Sequence, residues 1–318
     1  MATRHCPGLH PLAHGAYAWL APQGSWGWSN AGLIVDGEES LLIDTLYDLE
    51  LTAEMLRKMR AAEPLATTID TLVNTHANGD HCHGNELVGG AEIIASTASA
   101  IEMNELPPEA MAQIMASLDG MGSLGDYFRH CFGQFRFDGI RFTPPTRTFD
   151  GKLDLRVGDK QVHLIEVGPA HTRGDVLVHC PDDKVVFTGD ILFIDSTPVM
   201  WQGPVANWIK ACLLIEDMGA DLIVPGHGPI TDKHGVARVR HYLQFVHDQA
   251  RSRFDAGMSA FEAAKDIELD EYSAWADPER IAVNVDSLYR EFRGDQERTD
   301  MLELIGRMAD LAGFGADG

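Results

Sequence analysis

The stretch Asn74-Thr75-His76-Ala77-Asn78-Gly79-Asp80-His81 follows an apolar, strand-like run, and the interpretation of the whole chain starts from it. Between His76 and His81 it holds two imidazoles, one carboxylate and one amide. Imidazole and carboxylate together are the donors that zinc and similar divalent ions prefer, so this spacing predicts part of a metal site. Asn78 stands where a third histidine would be expected, and this residue decides how many ions the protein can hold.

Three later stretches also end apolar, strand-like runs with a metal-type ligand. They supply His171 after a proline and an alanine, Asp190 after Gly189, and His227 between two glycines. The ends of strands gather at one edge of a sheet, so side chains that are distant in sequence can converge there. The sequence therefore predicts one metal centre assembled from separate segments.

In the order of these motifs the sequence resembles the metallo-β-lactamase superfamily of hydrolases. The resemblance covers residues 15–230 and includes Asp44 at the end of an early strand, the His-x-x-x-Asp-His cluster, and the later His171, Gly-Asp and Gly-His-Gly motifs. It implies an α/β (α+β) fold, a four-layer αββα sandwich with metals between the upper edges of two sheets.

The resemblance also implies two metal sites. One site would use His76, the position of Asn78, and His171. The other would use Asp80, His81 and His227. Asp190 would bridge the two sites. An amide oxygen is a poorer zinc ligand than imidazole. We therefore expect the site with Asp80 and His81 to bind Zn²⁺ tightly, and the other to bind weakly, or to accept Mn²⁺ or Fe²⁺.

Three further residues are predicted to support the site or to pack near it. His83 is a less favoured substitute ligand for Asn78, because it follows His81 at the start of a predicted helix. Cys82 is interpreted as a packed thiol in preference to a ligand or redox sensor. Asp44 is expected to orient a ligand by hydrogen bonds.

The predicted activity is metal-dependent hydrolysis, with a metal-bound hydroxide attacking an ester, lactone, thioester or amide of a small, partly apolar substrate. Asp80 would orient the water and accept its proton as the catalytic residue. Two alternatives remain open: an enzyme resembling the mononuclear iron persulfide dioxygenases, and a catalytically weak metal-binding homologue.

Four aromatic residues are candidate substrate contacts: Trp26 and Trp28 in a glycine-rich turn, and Phe193 and Trp201 after Asp190. Ordinary packing of these residues is about equally expected.

Two domains are predicted, a metallo-β-lactamase-like domain over residues 1–232 and a helical extension over residues 233–318. Residues 101–148, rich in Met, Gly and aromatic residues, are expected to form a helical insertion. A helix is predicted at residues 48–62. Strands are predicted at residues 15–20, 31–35, 40–43, 68–74, 91–95, 152–157, 161–167, 175–180, 185–188 and 222–224.

The bulk composition excludes some classes of function. The net charge of −23 argues against nucleic-acid and anionic membrane partners. The five scattered cysteines form no CxxC pair, and the N-terminus lacks a signal pattern, so we expect a cytoplasmic protein with reduced thiols. Apolar stripes on the C-terminal helices are expected to cover the sandwich or to form a homodimer contact.

Overall fold

Two β-sheets face each other in the computed structural model, which describes residues 6–22, 25–64, 68–295 and 297–315. The first sheet pairs its strands in chain order, antiparallel up to β4 and parallel from β4 to β7. Its strands are β1 (Gly8–Ala13), β2 (Ala16–Leu20), β3 (Ala31–Asp36), β4 (Glu39–Ile43), β5 (Thr71–Val73), β6 (Glu92–Ser96) and β7 (Arg147–Phe149).

The second sheet has five strands in the order β12-β11-β10-β9-β8, antiparallel except for the parallel pair β11 and β12. They are β8 (Lys152–Val157), β9 (Lys160–Glu166), β10 (Val176–Cys180), β11 (Val185–Phe187) and β12 (Leu222–Val224). Alternate residues of the two sheets, such as Ile34 and Leu164, meet in one buried cluster between them. The period of two along each strand sends the intervening residues to the outer faces.

Helix α1 (Leu49–Ala62) covers the outer face of the first sheet. It begins at Asp48, whose side chain accepts a hydrogen bond from the backbone N–H of Leu51. Such caps satisfy an N–H that the helix itself leaves free. Met55 and Met59, one turn apart, pack on the outward-facing residues of β3 and β4. The predicted helix at residues 48–62 is therefore confirmed.

The remaining helices fall into two groups. The segment between β6 and β7 contains α2 (Thr97–Glu102), α3 (Pro108–Ala116) and α4 (Gly122–Phe132). After β11 come α5 (Val205–Asp217), α6 (Lys233–Asp255), α7 (Ala260–Asp266), α8 (Ile281–Arg293) and α9 (Met301–Leu311). Residues of α5, α6 and α8 share a core with the outer face of the second sheet, at Leu177, Val186 and Ile223. The layers are therefore α, β, β and α, and the predicted four-layer sandwich is confirmed.

The predicted strands are all present, with somewhat different ends, but the sequence analysis missed β1 and β7. Both are edges of the first sheet. Strand β1 contains Pro11, which cannot donate to a ladder and is tolerated at an edge. Strand β7 has only three residues, too few to show alternation, and it falls at the end of the expected insertion. The domain boundary at residue 232 stays a prediction.

No helix in the described part of the chain is both long and apolar enough to cross a bilayer.

Candidate metal centre

Six buried side chains converge where the strands of both sheets end. His76 lies beyond the end of β5, His171 between β9 and β10, and Asp190 beyond β11. His227 lies beyond β12, and Asp80 and His81 form a short 3₁₀ turn after His76. Two groups result, His76 with His171 and Asp190, and Asp80 with His81 and His227. Within each group the donor atoms lie within 4.8 Å of one another, which is close enough to surround one cation.

Asp190 stands between the two groups. Its Oδ2 lies 3.6 Å from Nε2 of His76 and 3.3 Å from Nε2 of His171. The same carboxylate lies 3.2 Å from Nε2 of His227 and 3.1 Å from Nε2 of His81. A Cβ at Gly226 would lie 1.9 Å from Oδ1 of Asp190, so only glycine allows the backbone to pass this closely.

The four imidazoles are all oriented by bonds at Nδ1. His81 bonds Asp44 at 2.8 Å, and His171 bonds the carbonyl of Val199 at 2.6 Å. His227 bonds the carbonyl of Trp28 at 3.0 Å, and His76 bonds the hydroxyl of Thr75 at 3.0 Å. Carbonyl and carboxylate oxygens only accept, and the hydroxyl of Thr75 already donates its hydrogen to Asp44, so Nδ1 of these rings carries the hydrogen. Each Nε2 is then left with a lone pair that faces the centre.

The free Nε2 atoms make this a site that fits a cation. Among the residues that the structure describes, Nε2 of His76, His81 and His171 and Oδ1 of Asp190 are buried without a hydrogen-bond partner. Buried polar atoms are normally paired, because leaving one unpaired costs about 1–3 kcal/mol. Such atoms in both donor groups are explained by divalent cations with nitrogen and oxygen ligands.

The local electrostatics favour the same conclusion. Burial lowers the pKa of His171 to about 4, and burial followed by the charge of His81 lowers the pKa of His76 well below its usual value. Both rings are therefore neutral at neutral pH, the form in which imidazole can bind a metal ion. Burial also acts to lower the pKa of His81, but nearby carboxylates, Asp190 first, hold it well above its usual value, so without a cation this ring also carries a proton on Nε2, which a bound cation would displace. Burial acts to raise the pKa of Asp190, but the imidazoles around it hold it well below the usual range.

Asp44 fixes the loop that carries the first histidines. Its carboxylate accepts hydrogen bonds from the backbone N–H and the hydroxyl of Thr75, both at 2.7 Å, as well as from His81. Asp44 itself has a φ of 61°, in the left-handed region that aspartate tolerates better than most residues. The structure thus shows the orienting bonds that the sequence analysis expected of this residue.

The structure separates the roles of the neighbours of His81. Asn78 is half-buried and lines a cavity beside the centre, while Cys82 is buried with its Sγ near the carbonyls of Ala77 and Asn78. The ring of His83 packs at 5.4 Å from that of Tyr47 and belongs to neither ligand group. These positions agree with a packed thiol at Cys82 and give His83 no ligand role.

A cavity of about 500 Å³ opens beside the centre. Its walls include three of the candidate substrate contacts, Trp26, Phe193 and Trp201. Trp28 instead lines a separate cavity of about 490 Å³, near β1, and its carbonyl accepts the hydrogen bond from His227. The larger cavity also has charged residues in its walls, among them Glu102, Glu105 and Arg298. Apolar residues from α3, α4 and α9 form another part of the walls, among them Met111, Ile114, Phe128, Cys131, Phe132, Leu302, Ile305 and Met308.

The sequence analysis did not place α9 at the site. The apolar stripe of this helix was visible in the sequence but was assigned to covering the sandwich or to a dimer contact. Arg280, which is buried and also lines the cavity, was missed as well. Its guanidinium lies 4.1 Å from the centre of the Trp26 ring. The aromatic richness of residues 101–148, which contain α3 and α4, was the signal in the sequence that pointed to an apolar wall of the cavity.

Comparison with known proteins agrees with this geometry. Residues 24–227 match the family model described as the metallo-beta-lactamase superfamily. The 2,4-dinitroanisole O-demethylase subunit alpha of Nocardioides sp. (strain JS1661) is 23% identical over 61% of this chain, which spans 51% of that relative. The acyl-coenzyme A thioesterase MBLAC2 of Bos taurus is 25% identical over 63% of this chain and 72% of its own length.

A solved structure extends the similarity of fold. The sec-alkylsulfatase Pisa1 from Pseudomonas sp. aligns with 98% of this chain at a TM-score of 0.68 and 17% identity, over 55% of its own length. At that identity the similarity is evidence for the fold alone. The aligned region includes the C-terminal helices as well as the sandwich.

Proposed function

The chain belongs to the metallo-β-lactamase superfamily, and we propose that it is a metal-dependent hydrolase that cleaves a carbonyl-type bond of a partly apolar small molecule. The observation that carries this proposal is the convergence of four imidazoles and two carboxylates, with unpartnered donor atoms, at the mouth of an apolar cavity. A site of this composition beside a concave apolar surface is a typical arrangement for metal-assisted hydrolysis.

The two groups of side chains are proposed as two unequal cation sites. Asp80, His81 and His227 provide one complete set with two imidazoles and a carboxylate, and Asp190 adds a second carboxylate oxygen. The other group has His76, His171 and Asp190, and Asn78 offers only an amide. We therefore propose Zn²⁺ tightly bound in the first group and a weaker ion, Zn²⁺ or Mn²⁺, in the second.

Asp80 is the proposed catalytic residue. A divalent cation held in the centre would supply Lewis-acid activation of water and of the scissile group. The side chain of Asp80 is 12% exposed towards the cavity, whereas that of Asp190 is 4% exposed, so Asp80 is the carboxylate that can reach a water. The hydroxyl of Ser29 donates to the carbonyl of Asp80 and holds its turn in place. Asp80 would orient that water and take its proton.

The cavity indicates the kind of substrate. Its volume is within the range of about 300–1,000 Å³ that holds small organic ligands. Rings such as Trp26 and Trp201, whose centres lie 6.3 Å apart, offer flat apolar contact next to the ligands. Because one relative is named as an acyl-coenzyme A thioesterase, acyl thioesters are the first of the ester, lactone, thioester and amide classes to test.

The test is a substrate panel. Metal-stripped protein is reloaded with Zn²⁺ or Mn²⁺ and assayed on p-nitrophenyl esters, lactones, acyl thioesters and β-lactams. We expect turnover confined to one class and reduced by about 10²-fold or more in Asp190→Asn, because Asp190 contacts both groups. Asp119→Asn, at a side chain that is fully exposed, is the matched control and should keep full activity. No turnover with any class and either ion would contradict the proposal.

A second candidate function is iron-dependent oxygenation, which one observation favours. His76, His171 and Asp190 form a set of two histidines and one carboxylate, the donor set of many non-haem iron oxygenases. Iron in protein purified without added metal, together with thiol-dependent oxygen uptake, would support this candidate over the hydrolase.

A further inference from the structure

A buried loop of residues 197–200 connects the metal centre to the C-terminal helices. The carbonyl of Val199 accepts the 2.6 Å hydrogen bond from Nδ1 of His171. This loop lies outside the sheets, and a backbone link from Thr197 N–H to the carbonyl of Ala276 ties its start to the extension at 2.9 Å. The position of the Val199 carbonyl therefore depends on what holds the loop.

Two side chains from the start of α8 hold it. Asn284 accepts from the N–H of Met200 at 2.7 Å and donates to the carbonyl of Pro198 at 2.8 Å. Arg280 donates to the carbonyl of Thr197 at 2.8 Å. These residues are four positions apart, so they project from the same side of the helix.

The bonds from Arg280 and Asn284 hold the loop on both sides of the Val199 carbonyl and leave that carbonyl to His171. Arg280 and Asn284 bind the carbonyls before Val199 and the N–H after it, and the carbonyl of Val199 is bonded by His171. Arg280 and Asn284 are each 1% exposed. Burying such polar groups is unfavourable unless their hydrogen bonds are made, so their bonds fix the loop in one position.

We propose that Asn284 and Arg280 are positioning residues that set the metal affinity of the group of His76, His171 and Asp190. The proposal rests on the proposed function for the role of His171 as a ligand. His171 belongs to this group and not to the group of Asp80, His81 and His227, so a displaced His171 ring weakens this group directly. The C-terminal helices then form part of the metal centre, through a hydrogen-bonded loop.

Asn284 is the better residue to test. Arg280 also packs against Trp26, pairs with Asp277 at 3.0 Å and lines the cavity, so its loss would have several effects. Besides the loop, Asn284 bonds the hydroxyl of Tyr242 at 3.0 Å. Tyr242→Phe removes that bond and leaves the two bonds to the loop, which makes it the matched control.

The experiment measures Zn²⁺ and Mn²⁺ binding to metal-stripped protein by calorimetry. In Asn284→Ala we expect the weaker ion to bind about 10- to 100-fold less tightly, the usual effect of losing a group that orients a ligand, with the tighter ion unchanged. Tyr242→Phe should bind both ions as the wild type does. Asn284→Asp keeps the side-chain volume and the bond from Met200 but cannot donate to Pro198. Its affinity for the weaker ion should therefore lie between those of Asn284→Ala and Tyr242→Phe. This variant also replaces Asn284→Ala in the test if Asn284→Ala does not fold.

A second readout follows the hydrogen bond itself. In ¹H–¹⁵N spectra of the metal-free protein, the ring N–H signal of His171 should shift or broaden in the Asn284 variants and stay in place in Tyr242→Phe. Unchanged affinities in both Asn284 variants, or equal weakening of both ions, would overturn the proposal. The proposal would also be overturned if the wild type binds only one ion and Asn284→Ala binds that ion with the same affinity. Binding of two ions without hydrolysis would count against the proposed function and leave this inference standing.

Discussion

At the scale of single residues, the centre is defined by hydrogen bonds that point away from it. Each of the four imidazoles uses Nδ1 for a fixed protein oxygen and turns Nε2 inward. Ligand rings held in this way need little reorganisation when an ion binds. Asn78 differs from these four imidazoles, because it lines the cavity beside the centre. Its effect on metal binding can be tested directly.

The first prediction concerns Asn78→His. A third imidazole should join His76 and His171, so the weaker ion should bind at least about tenfold more tightly. Competition with a coloured chelator measures this affinity. Asn104→His, at an exposed position, is the control for an added histidine and should leave both affinities unchanged. If Asn78→His binds the weaker ion no more tightly than the wild type does, position 78 does not face that ion.

At the scale of secondary-structure elements, helices outside the two sheets provide much of the apolar wall of the cavity. Helix α9 offers Ile305 and Met308 from its buried face and Leu302 from its partly exposed face to the cavity. The ends of the strands provide the proposed metal ligands, and the helices provide apolar surface of the cavity. Substrate preference is therefore expected to change with the helices while the metal centre is retained.

The second prediction concerns Leu302→Asp on α9. Leu302 lines the cavity and is 44% exposed, so the change should raise KM for the most apolar active substrates by about three- to tenfold with little effect on Tm. Leu213→Asp on α5 is the matched control, because Leu213 is also 44% exposed. Steady-state kinetics over a series of acyl chain lengths measures the effect. Equal KM changes in both variants would argue against a substrate wall at α9.

At the scale of the whole molecule, the ligand loops are joined to the core through buried polar groups. Asp175 is one of them: its carboxylate accepts from the N–H of Thr172 at 3.0 Å and from its hydroxyl at 2.7 Å. Burial raises the pKa of this carboxyl to about 7, although the bonds from Thr172 act in the opposite direction. The stability of the fold should therefore depend on pH through this group.

The third prediction gives the direction of that dependence. Between about pH 4 and 7 the unfolded chain loses this proton while the folded protein keeps it, so the free energy of unfolding should fall as pH rises. The loss is on the order of 4 kcal/mol at most, and it levels off above about pH 7. In Asp175→Asn this decline should be absent. The stability of the variant relative to the wild type should thus increase from pH 4 to 7.

Urea unfolding at several pH values, with chelator present to remove the contribution of bound metal, measures this difference. Asp119→Asn is again the control at an exposed side chain and should follow the wild type. A stability difference between Asp175→Asn and the wild type that is constant across the window would contradict the assignment.

The sequence by itself determined which imidazoles and carboxylates converge at the centre and which strands carry them. Imidazoles, carboxylates and glycines at strand ends are local signals, because each ligand type and each turn is encoded within a few residues. The same holds for α1 and for the capping box at Ser259 and Glu262, which the structure contains. Family and fold followed from these local signals and are confirmed.

Only the tertiary structure decided which surfaces meet the centre. The bond between Arg280 and Thr197 joins residues 83 positions apart, and that between Asn284 and Pro198 spans 86. An apolar stripe on α9 looks the same in sequence whether it covers a core, a partner or a substrate. Its place beside the cavity, the supporting role of the loop at residues 197–200 and the turn of Trp28 away from the cavity come from packing between distant segments, which no local pattern records.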